Sequence, residues 1–118
     1  MEKLMFMLPE EIEILKKDEV IDKLIHFLMS SPFRHDEDVE DVIKTLETYV
    51  KKKLTVSHAR ILAFQIHKEA REENNLYKKM IKRACAHSVS TIHVKTHALR
   101  AIDYLNKALN TKEGNHHD

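Results

Sequence analysis

Residues 36–54 read DEDVEDVIKTLETYVKKKL. Val39, Val42, Ile43, Leu46, Tyr49, Val50 and Leu54 recur at steps of three and four, the period of a helix with one apolar face. Asp36, Glu37 and Asp38 stand where a helix N-terminus is positive, and Lys51, Lys52 and Lys53 where its C-terminus is negative.

The same period continues in both directions. Upstream, Pro9 followed by Glu10 and Glu11 suits the first turn of a short helix carrying Ile12 and Leu15. Val20, Ile21, Leu24, Phe27 and Leu28 fall on nearly the opposite face of a continuous wheel. The phase change at Lys16-Lys17-Asp18 therefore predicts a break and a second helix capped by Asp18. That helix ends before Pro32, because a residue preceding proline is pushed out of the helical region. Downstream, Thr55 or Ser57 caps a helix with Ala59, Leu62, Ala63, Ile66 and Ala70 inside. Ile61 and Phe64 lie on its other side, so it is either buried on two faces or shows an apolar patch to a partner. Asn74-Asn75 separates it from a helix burying Tyr77, Met80, Ile81, Ala84, Cys85, Ser88 and Ile92. A last helix follows Thr96, with Ala98, Ala101, Ile102, Leu105 and Leu109 inside.

Composition agrees with this reading. The chain has 118 residues with one glycine and two prolines, which disfavours hairpin-rich β folds and glycine loops that cradle phosphate. The expectation is one all-α domain over residues 1–110, a compact bundle of about five or six helices, with a frayed polar tail at 111–118. No stretch has the ~18 apolar residues of a membrane span, and no secretory signal is recognisable. With a single cysteine, Cys85, no intrachain disulfide can form, and the cytoplasm is the expected location.

The formal net charge is +1, too small for a field that draws in nucleic acid or a membrane. The two halves differ: residues 1–54 carry 9 Lys/Arg and 13 Asp/Glu, whereas residues 55–118 carry 11 and 6. Lys78, Lys79, Lys82 and Arg83 form a basic strip that could meet phosphates or simply face solvent. Aromatic residues are only 6% and tryptophan is absent, so stacking platforms for bases are scarce. The acidic run Asp36–Asp41 could face a basic partner. The apolar segment Leu4-Met5-Phe6-Met7-Leu8 packs either on the bundle or on another subunit.

Histidine is in excess, with nine residues. His87, His93 and His97 fall in one stretch, and the gap between the latter two is common in zinc sites. Zinc would need further ligands such as Cys85 or Asp103. The plainer alternative is that these imidazoles cap a helix joint. His97 and Tyr104, one ridge apart, could do acid–base work or pack with their polar tips satisfied. Cys85, among Ala84, Ala86 and Ser88, reads as a small core residue.

From Ala84 to Leu109, the residues Ala86-His87, Ile92-His93-Val94, His97-Ala98-Leu99, Ala101 and Tyr104 resemble the putative immunity proteins, small helical bacterial proteins grouped with polymorphic-toxin systems. Ile92 stands where that family has alanine, and Arg100 where it tends to be small. The resemblance implies an all-α cytoplasmic protein that binds and neutralises a protein toxin, with His93, His97 and Tyr104 as family-defining positions. The leading expectation is thus a non-catalytic protein-binding module anchored by residues such as Ile61 and Phe64, with self-association into a homodimer as a further use. The alternatives are an enzyme centred on His87, His93 and His97, with zinc as its candidate metal, and a nucleic-acid binder using the basic strip.

Overall fold

The computed structural model describes residues 3–116, with side chains through Thr111. Six helices follow one another: α1 (Pro9–Ile14), α2 (Lys17–Ser30), α3 (Glu37–Val50), α4 (Val56–Glu72), α5 (Leu76–Ser90) and α6 (His97–His116). No strand occurs among the described residues. The chain is an all-α single domain.

Local chemistry explains most of the boundaries. Pro9 opens α1, and the Glu11 carboxylate reaches back to accept from the Leu8 N–H (3.0 Å). Asp36 caps α3 by accepting from the Asp38 and Val39 amides, Thr55 caps α4 through the His58 N–H, and Asn75 caps α5 through the Lys78 N–H. Asp18 does not cap α2, as its sequence position suggested. The helix begins one residue earlier, at Lys17, where Glu19 accepts from the Lys16 N–H (3.0 Å), and Asp18 sits in the first turn. The last helix also runs past Asn110 to His116, into the segment expected to fray; the side chains beyond Thr111 lie outside those described.

The end of α3 uses an unusual residue. The Lys52 N–H donates to Tyr49 O (2.8 Å) and the Lys53 N–H to Thr48 O (3.0 Å), which closes a Schellman motif with Lys52 at φ 61°. Glycine usually takes this left-handed position because it lacks a Cβ. In a chain with one glycine, a lysine adopts it instead.

Helix α5 is central and packs against α3, α4 and α6. Since α2 meets both α3 and α6, these four helices close a ring around the core, and α4 lies against α5 from outside. Val20, Leu24, Leu46, Ile81, Ile92 and Leu105 are all essentially sealed inside. Burying such side chains stabilises by about 1.5–3 kcal/mol each. Tyr77, Met80 and Leu109, expected inside, are half-buried and pack at the margin, while Ala108 is fully buried. The buried side chains of α4 are Ala59, Ala63 and Ala70, and small residues of this kind let it approach α5 closely.

The N-terminal segment straps the ring. Leu4, Phe6 and Met7 pack on the core, whereas Met5 is exposed. The Leu4 N–H donates to Asn106 Oδ1 (2.6 Å), and Asn106 Nδ2 donates back to Leu4 O (3.1 Å). Lys95 Nζ donates to Leu15 O (2.6 Å) and Glu13 O (3.1 Å), holding the carbonyl end of α1.

Candidate functional site

Consecutive residues of α5 turn to different neighbours: Lys82 lines a hollow of about 240 Å³ with residues of α3 and α4, whereas Arg83 faces the furrow where α4 and α6 both pack on α5. Lys82 Nζ lies 3.5 Å from Asp38 Oδ2 of α3 and 3.5 Å from Glu69 Oε1 of α4. Burial draws its pKa down, but the two carboxylates outweigh burial and leave it raised. Arg83 Nη1 instead donates to His67 Nδ1 of α4 (2.7 Å). A guanidinium has only donors, so His67 must accept at Nδ1 and carry its proton on Nε2.

A row of rings continues from His67 across α5 to α6. His87 meets His67 edge-on, with ring centroids 4.9 Å apart. It stacks on His97 at 5.2 Å and on Tyr104 at 5.4 Å, and Lys107 Nζ lies 4.7 Å from the centre of the Tyr104 ring. His87 Nδ1 and His97 Nδ1 are 3.0 Å apart, so one donates and the other accepts. The accepting ring is neutral with its proton on Nε2.

All three rings have pKa values below the usual imidazole range. Burial is the first cause for His87, which falls to about 4; His67, His97, Arg100 and Arg83 lower it further. His67 is lowered by burial, then by Arg83, Arg71 and His97. His97 is lowered by burial, then by Arg100 and His93. The charged groups acting on these rings are thus all basic.

The structure regroups the residues singled out from the sequence. His87, His97 and Tyr104 come together, but His93 is exposed at the α5–α6 bend. The third imidazole of the row is His67, from a helix whose sequence carries no local sign of it; its place follows from the packing of α4 on α5. Cys85 is buried on the α3 side, with its thiol pKa pushed up by burial, and does not join the rings. Among the described residues, no three His, Cys, Asp or Glu side chains converge to hold a metal ion, so the zinc set drawn from His87, His93 and His97 is not assembled.

The basic strip is divided in the same way. Lys78 is exposed and Lys79 half-buried, Lys82 is held by carboxylates, and Arg83 turns to His67. Ile61 and Phe64 stand out from α4, 59% and 66% exposed, and line a shallow hollow of about 440 Å³ with Ser57 and Arg60. Ile61 and Phe64 are therefore exposed, and α4 is not buried on two faces. No helix among the described residues is long and apolar enough to cross a membrane.

No curated protein and no solved structure matches the chain. The resemblance seen in residues 84–109 extends much further: the family model described as Imm-5 like putative immunity protein matches residues 19–118, from α2 to the end of the chain, and the protein belongs to that family.

Proposed function

We propose that this protein acts in the cytoplasm as the neutralising partner of a protein toxin, covering part of the toxin's surface without chemistry of its own. The observation that carries this reading is the outward pair Ile61 and Phe64 on α4, beside a hollow that could receive a partner's side chain. Large apolar side chains held on a rigid helix can bury contact area at small entropic cost, and a few such residues typically dominate binding energy. Membership of an immunity-protein family supports a protein as the ligand.

The test is co-production with the product of the adjacent gene, where the proposal expects a protein toxin. The expected result is a stable complex and restored growth of toxin-producing cells. The double variant Ile61→Asp/Phe64→Asp should weaken the complex at least tenfold while keeping its helical content, because both positions face solvent. Failure of the wild-type chain to bind or protect would overturn the proposal. So would full protection by the double variant, or sedimentation of the chain as a dimer that the double variant converts to a monomer.

A further inference from the structure

We infer that the groove between α4 and α6 receives carboxylates, and that its occupant is an acidic segment of the partner protein, with Asp or Glu side chains seated among Arg71, Arg83 and Arg100 over the histidine row. The identity of the partner rests on the proposed function; the chemistry of the groove does not.

Three observations support the inference. First, Arg83 spends one guanidinium donor on an imidazole nitrogen, and among the described residues Arg71 and Arg100 make no hydrogen bond or ion pair. Arginine forks match carboxylates in two-pronged geometry, so this groove carries donors with no acceptor of that kind. Second, His67 and the accepting member of the His87–His97 pair each keep an Nε2–H, which adds neutral donors between the guanidiniums. Third, Arg60, Phe64, His67 and Arg71 follow one another at helical spacing along α4, so the apolar anchor and the basic groove form one continuous surface.

Other occupants fit less well. The ring faces of Tyr104 are engaged by His87 and Lys107, so Phe64 is left as a single exposed ring on this surface, where a nucleic-acid strand would stack on several. The acidic run of a second copy is partly committed, since Asp36 caps its own helix and Asp38 holds Lys82.

The test is titration of the whole chain at low salt with a poly-L-glutamate of about 15 residues. An oligothymidylate of equal length and sedimentation of the chain alone provide the other arms. The glutamate peptide should shift the imidazole signals of His67, His87 and His97 in NMR spectra. Arg83→Gln/Arg100→Gln should weaken it at least tenfold, whereas Lys51→Gln/Lys53→Gln, at the far end of α3, should not. Binding should tighten from pH 7.5 to pH 6.5, a range in which the glutamates of the peptide stay ionised. An anion facing His67, Arg71, Arg83, His87, His93, His97, Arg100 and Tyr104 stabilises imidazolium, and protons taken up on binding favour the complex.

Peptide shifts confined to other surfaces would overturn the inference. So would tighter binding of the oligothymidylate, or a dimer that buries the groove. If the wild-type chain neutralises a toxin and the arginine variant does so equally well, only this inference falls. If the chain neutralises no toxin, the peptide titration still reads the groove.

Discussion

Lys82 and Arg83 are adjacent in sequence, yet they face opposite electrostatic settings. Lys82 is enclosed by carboxylates from two other helices, so that side of α5 is satisfied within the fold. Arg83 meets an imidazole whose neighbours are further bases. That difference underlies the proposed division between cohesion and recognition: a surface that has satisfied its own charges offers little to a partner, and one that has not keeps donors to offer. A shift of one residue along a helix, about 100° of rotation, is enough to change from one role to the other.

The largest expected effect breaks the wall that divides the two grooves. Ala86, one turn after Lys82 and Arg83, is fully buried. Ala86→Leu should overpack the interior and cost about 1–3 kcal/mol in urea unfolding. A change below about 0.5 kcal/mol would mean that α4 does not seat closely and that the grooves are not distinct. A smaller effect sharpens the electrostatic contrast. His87 falls from 6.5 to about 4 in the folded chain, so between these values the unfolded chain binds more protons. Stability should therefore rise with pH across this window and level off above about 6.5. For a ring this accessible, solvent screening reduces the contribution to order 1 kcal/mol. Unfolding at pH 5.5 and 7.5 checks the sign, and His87→Gln should reduce the difference, the remainder coming from His67 and His97.

The smallest effects compare the two side chains directly. Lys82→Gln should lose about 0.2–1 kcal/mol, less at high salt, because its ion pairs are partly exposed. Arg83→Gln should change stability by no more than about 0.5 kcal/mol. It should raise the pKa of His67, since one of the cations lowering it is gone. Equal losses from the two variants would remove the distinction between the grooves.

Much of the fold was legible from the sequence because helical periodicity and capping are local. The stripe from Val39 to Leu54, the caps at Asp36, Thr55 and Asn75, and the stop before Pro32 each depend on residues within a few positions. The site was legible only in part. His87, His97 and Tyr104 lie within eighteen residues across a single bend, so their proximity could be anticipated. His67 joins them from twenty residues upstream of His87, across a helix–helix contact that spacing along the chain does not encode. Likewise, the basic strip looked continuous because charge was counted along the chain, whereas the surrounding acids that neutralise Lys82 come from α3 and α4. Lys52 was invisible for a different reason: a left-handed residue is inferred from glycine, and here it is lysine.

The strap formed by the first residues lies ahead of the part shared with the family, which begins at residue 19. Ile12 is nonetheless fully buried, and Asn106 spends its amide on the backbone of Leu4. A version trimmed to the shared portion would expose an oily trough and leave that amide to water. Anyone transplanting this bundle into a sensor or fusion should therefore carry the leading segment with it, and attach cargo where the clasp between the chain's two ends stays intact.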